Sequence, residues 1–135
     1  MLRNRRIQQV WALTALMAFA ACRSLPDDGV SAVQFSDLAT PPWMTLREAN
    51  HESHSVEVPE ADWRMGHFEY HGRRGVEEAC AYILDHLDQR DWTLELNTSE
   101  GDDRVMRFTR DVYEAVYRVR RNDGVTELVV DYGNR

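Results

Sequence analysis

Apolar and polar positions fall into three regimes along the chain. An apolar run extends from about Val10 to Ala21, behind Arg3, Arg5 and Arg6. Residues 23–55 then keep no sustained period, and Asp27-Asp28-Gly29 and Pro41-Pro42 interrupt them. Regular patterning returns near Ser55. Val56 and Val58 flank Glu57 before Pro59 ends the run, which predicts a short edge strand. Over 64–72, Phe68 and Tyr70 share one face with Gly66. Met65, His67, Glu69 and His71 share the other, so the aromatic face is expected inward. Val76, Ala79, Cys80, Ile83, Leu84 and Leu87 recur at i, i+3, i+4, i+7, i+8 and i+11, a helical stripe across 74–90. Glu77 and Glu78 in the first turn and Arg90 in the last suit the helix dipole.

Four strands are expected after the helix. Trp92, Leu94 and Leu96 alternate as the inward side of the first, and 97–103 reads as a polar loop. Val105–Thr109 follows, with Met106 and Phe108 inward. A longer strand over 112–121 shows Tyr113, Ala115, Tyr117 and Val119 on one face. Asn122-Asp123-Gly124 is a hairpin turn, because Asp-Gly readily takes the positive φ such turns need. Val125–Tyr132 closes the set, with Leu128 and Val130 inward. The predicted fold class is α+β: an antiparallel-rich sheet of four to five strands, with one amphipathic helix packed on one face.

The start of the chain reads as an address. Its apolar run is shorter than the roughly 20 residues that cross a bilayer as a helix. Basic residues, a short apolar core and small residues at its end make a secretory signal. Phe19-Ala20-Ala21-Cys22 resembles a bacterial lipobox, with Phe19 where Leu, Val or Ile is usual. That resemblance implies diacylglycerol on the Cys22 thiol, cleavage before it and acylation of the new amine. Arg23 is not the aspartate that retains such proteins in the inner membrane, so the resemblance favours the periplasmic face of the outer membrane. The expected division is a signal peptide at 1–21, a lipid-anchored tether at 22–55 and a small α+β domain at 56–135. As a flexible coil the tether reaches roughly 30 Å. Within it, Thr45-x-x-Glu48 has a capping-box pattern that predicts one helical turn, and Trp43 and Met44 are expected to dock on the domain.

Charge narrows the function classes. The 135 residues carry 16 basic side chains, all arginine, against 23 acidic ones. Removing the three leader arginines leaves 13 against 23, which argues against a nucleic-acid binder. Two cysteines exclude a disulfide scaffold and a zinc ribbon. With Cys22 acylated, Cys80 has no partner within the chain. Its place in the apolar stripe marks it as a small hydrophobe rather than a nucleophile.

Arg64-x-Gly66-x-x-x-Tyr70-x-Gly72, the amphipathic helix, Trp92-Thr93-Leu94 and a strand ending in Arg118-Val119-Arg120 together resemble small uncharacterised bacterial envelope lipoproteins. The resemblance covers the signal and residues 56–131. In those proteins Gly-Trp commonly follows the helix; here Asp91 precedes Trp92. The resemblance implies the fold and the anchor, and no catalytic residue.

Three constellations bear on chemistry. His67, Glu69 and His71 project from one strand face about 6.8 Å apart in succession, and imidazole and carboxylate suit Zn²⁺ or a similar ion. The plainer reading is an exposed polar face. His51 and His54 form His-Glu-x-His, one residue short of the zincin spacing, in a linker-like setting. Arg118, Arg120 and Arg121, with Arg107 and Arg110, form a basic strip. It suits headgroups or peptidoglycan carboxylates, or cross-strand pairing with Glu95, Glu114, Glu127 and Asp131. The expectation is a non-enzymatic, lipid-anchored envelope protein that binds an envelope protein or peptidoglycan, needs no cofactor and binds no nucleic acid. The alternative is a periplasmic metal-binding or metal-sensing domain.

Overall fold

The computed structural model describes residues 34–49 and 52–135. They form an α+β fold of seven antiparallel strands and one helix: β1 (Thr45–Leu46), β2 (His54–Val58), a 3₁₀ turn (Pro59–Ala61), β3 (Trp63–Gly72), α1 (Val76–Asp88), β4 (Thr93–Glu100), β5 (Asp103–Arg110), β6 (Tyr113–Asn122) and β7 (Val125–Asn134). The sheet order is β1-β3-β7-β6-β5-β4, and β2 shares the outer edge of β3 with β1. Seven strands replace the four to five expected. Both edge pieces before β3 join the sheet, and β4 to β7 form a continuous meander.

Two layers pack on one side of the sheet. Phe68, Tyr70, Met106, Phe108, Ala115, Tyr117, Val119, Leu128, Val130 and Tyr132 line this inner face and are buried. Ala79, Cys80, Ile83 and Leu87 of α1 cover part of it, in the predicted stripe. Residues 34–41 cover another part. Phe35, Leu38 and Ala39 belong to the same core, and the Phe35 ring lies 6.1 Å from Phe68 and 5.0 Å from Tyr132. Packed structure therefore begins by Gln34, inside the segment expected to be a tether up to residue 55. Phe35, Leu38 and Ala39 do have helical spacing, but one turn is too short to register as a period.

Other departures have local causes. Thr45 and Leu46 pair with His71 and Tyr70 instead of starting a helical turn. The open backbone edge of β3 offers this extended segment hydrogen-bond partners. A bulge between Leu94 and Leu96 shifts the alternation of β4. Leu96 lies opposite Arg107 on the outer face, and Leu94 stays 44% exposed, so neither is the core residue expected. Trp92 is buried as predicted. The expected loop over 97–103 is instead a tight hairpin in which β4 runs to Glu100 and Gly101 turns at φ 63°. On an exposed edge strand, Asn97, Thr98 and Ser99 give no apolar alternation to read. The β6–β7 turn takes positive φ at both Asp123 and Gly124, as the sequence indicated.

Candidate functional site

The outer face of the sheet carries the predicted histidine row. His54 and His67 are direct partners across β2 and β3, with ring centroids 5.6 Å apart and stacked. His67 Nδ1 lies 2.6 Å from Asp131 Oδ1 on β7, and Nε2 lies 3.1 Å from Glu69 Oε1. This geometry suits an imidazolium donating to two carboxylates. Partial burial pulls the His67 pKa down, but the hydrogen bonds to Asp131 and Glu69 outweigh it and leave the pKa raised. Glu69 is itself fixed through its backbone. Its N–H donates to the buried Ser53 hydroxyl at 2.9 Å, and its carbonyl accepts from Arg47 N–H at 2.7 Å, bridging the gap between β1 and β2.

His71 belongs to a different cluster. Arg47 Nε donates to His71 Nδ1 at 3.4 Å, and Arg47 Nη2 meets Glu127 at 3.4 Å. Arg120 Nε donates to the other Glu127 oxygen at 2.7 Å. The Arg120 hydrogen bond is the main reason the Glu127 pKa is lowered. The trio His67, Glu69 and His71 is thus one row without a common centre. His67 has both nitrogens engaged by carboxylates, while His71 faces a guanidinium, which repels any metal ion approaching that nitrogen. Among the described residues, no group of three or more His, Cys, Asp and Glu side chains could hold a metal ion. His51 and Cys22 lie outside the described residues.

A shallow depression of about 390 Å³ opens beside this row, lined by His54, Met65, His67, Glu114, Val116 and Asp131 around Gly133. Met65 on its wall is exposed, as are Val58 and Trp63, which pair with each other at the end of β2 and β3. The basic strip is largely neutralised within the sheet. Arg118 pairs with Glu100 and Asp103 at 3.2 and 3.3 Å, Arg120 with Glu127, and Arg107 with Glu114 at 3.8 Å. Glu100 and Asp103 were not among the expected partners, because the β4–β5 hairpin was read as a loop. Glu95 instead accepts a hydrogen bond from Thr109 Oγ1. Cys80 is a buried free thiol; burial pushes its pKa up, partly opposed by Arg104, so it carries no thiolate character.

Sequence reasoning missed a polar cluster on the inner side. Asp37 Oδ2 meets Arg110 Nη2 at 2.9 Å and Arg64 Nη1 at 3.8 Å, and accepts from Tyr132 OH at 3.2 Å. The backbone of this segment is gripped by side chains as well. Trp92 Nε1 donates to Asp37 O, Arg90 to Leu38 O, and Ala39 N–H to the Tyr117 hydroxyl. Burial drives the Tyr132 pKa to about 12, so its hydroxyl stays a donor. These groups hold residues 34–41 in place; nothing in their spacing along the chain announces that they meet.

No protein-family model, curated protein or solved structure matches this chain.

Proposed function

We propose that this is a lipid-anchored cell-envelope protein, attached through Cys22, whose α+β domain binds an envelope protein or peptidoglycan, or supports an assembly, without chemistry of its own. The observation that carries the reading is Ala20-Ala21-Cys22 at the end of a short apolar run led by arginines. Several acyl chains, at about 0.8 kcal/mol per buried CH₂, make such attachment effectively permanent. Arg23 in place of aspartate favours the outer membrane. The outer sheet face supports the binding role. Its charges are matched in rows by neighbours in the same sheet, and exposed Val58, Trp63 and Met65 stand at one end. A surface of that kind suits contact with a partner more than proton or group transfer.

Intact mass of the protein from the native membrane fraction, beside a Cys22→Ala variant, tests the anchor. The expected result is a chain that starts at Cys22 with added acyl mass, and a variant without it. A soluble chain cut elsewhere would overturn the anchor. Crosslinking in intact cells then tests the binding role, and recovery of no specific partner would sink it.

A further inference from the structure

The described residues begin at Gln34, and residues 23–33 lie between it and Cys22. Whatever their conformation, they span at most about 40 Å. That length exceeds the roughly 30 Å of β3, so either end of the domain can face an anchoring membrane, and the chemistry of each end decides between them. Gln34 Oε1 accepts hydrogen bonds from Tyr70 OH and Thr40 Oγ1, each at 2.6 Å. Tyr70 lies two residues before Gly72, at the end of β3 that leads into α1.

That end carries a depression of about 410 Å³ lined by Trp43, Thr45, His71, Gly72, Arg73 and Arg74. No carboxylate lines it, although the chain holds 23 acidic residues. Two other depressions include Glu114 with Asp131, and Asp91 with Glu95 and Asp111. Arg73 is exposed and makes no ion pair among the described residues, and Arg74 meets only Glu78, at 3.9 Å. Arg121 stands beside them. Its guanidinium donates to the Arg74 and Gly124 carbonyls and the Thr126 hydroxyl, with no ion-pair partner among the described residues. Trp43 is half-buried, with the Arg74 guanidinium 4.4 Å over its ring and Tyr82 at 5.5 Å. Indole and guanidinium groups together match the boundary between acyl chains and phosphates.

We propose that this end, centred on Trp43, Arg73 and Arg74, is the membrane-facing surface of the domain and binds the phosphates of phospholipid headgroups. The inference rests on the lipid-anchor reading above and adds an orientation to it. Trp63 lies at the opposite end of β3, roughly 30 Å away at about 3.3 Å per residue, so two tryptophans report on opposite ends of the molecule. Trp92 is buried in the core.

The test uses the acylated mature chain in vesicles of phosphatidylglycerol and phosphatidylethanolamine that carry a headgroup nitroxide quencher. Trp43 fluorescence is expected to be quenched and Trp63 fluorescence spared, assigned with Trp43→Phe and Trp63→Phe variants. Arg73→Ala is expected to lower the docked-to-undocked ratio about five-fold, a typical effect of one basic residue near an anionic surface, with Arg73→Lys restoring most of it. Raising the salt to about 0.5 M should weaken docking while the acyl chains keep the protein on the vesicle. Quenching of Trp63 instead, or of neither, in a chain whose mass shows acylation would overturn this orientation and leave the anchor intact. A mature chain without acyl mass would overturn both.

Discussion

Four non-glycine residues take positive φ among those described, and all are aspartates: Asp62, Asp91, Asp111 and Asp123. A short polar side chain tolerates this conformation better than most, though less well than glycine. Asp91 shows what that tolerance supports. Its N–H donates to Asp88 O, and the Trp92 N–H reaches back to Leu87 O, the paired bonds of a Schellman ending. The left-handed cap therefore forms without a glycine at that position. Asp91→Gly should raise stability by about 0.5–1 kcal/mol, read as a higher urea midpoint at unchanged slope. His67 gives a pH-dependent counterpart. Its pKa in the folded chain lies above the unfolded value because the bonds to Asp131 and Glu69 outweigh the cost of burial. The stabilisation is thus complete below about pH 6.5. It is lost as pH rises through the folded pKa. Asp131→Asn should flatten that part of the stability profile, and urea melts between pH 5 and 9 on both proteins would show it. An unchanged slope in the variant would mean that the His67–Asp131 contact does not govern the titration.

Among the elements, β3 pairs with three strands, β1 and β2 along one edge and β7 along the other, and is packed from above. A methyl group at Gly66 would sit 2.5 Å from the Phe68 ring and 3.3 Å from Phe35. Phe68 is fully buried, so its ring has nowhere to retreat. Gly66→Ala should cost about 1–3 kcal/mol, as overpacked cores do, measured by denaturant unfolding. The elements also show how far the sequence could be read. Helix α1 and strands β3, β6 and β7 were legible because each repeats its apolar period over eight residues or more with one face buried. β4 was legible only at Trp92, since the bulge after Leu94 breaks the two-residue period that reading depends on. β1 leaves no such trace, because it is two residues long and set by the edge it meets. The histidine row could be placed on one strand face from alternation alone. Its partners could not, because Asp131 and His54 reach it through pairing registers that no local pattern encodes.

For the molecule as a whole, the segment 34–41 shares the cover of the inner face with α1. A chain starting at Val56 lacks Phe35, Leu38 and Ala39, and leaves Arg110 without Asp37. Burying a large apolar side chain is worth about 1.5–3 kcal/mol, so the loss approaches the roughly 5–10 kcal/mol that holds a domain of this size together. A chain starting at Gln34 should give a cooperative urea transition and a structured near-ultraviolet spectrum, and one starting at Val56 neither. Equal behaviour of the two would show that the segment is dispensable. The strand order has a further effect, on timing. β7 lies between β3 and β6 and pairs with both, so the first three strands and the β4–β6 hairpins remain two separate halves until residues 125–134 arrive to join them. Contacts such as Gly66 with Tyr132 close only then, and pairings this distant form slowly. A chain threaded outward through a narrow export channel, leader first, would emerge with its sheet still incomplete. If the chain is exported as proposed, the part that has crossed cannot complete the sheet until β7 follows it.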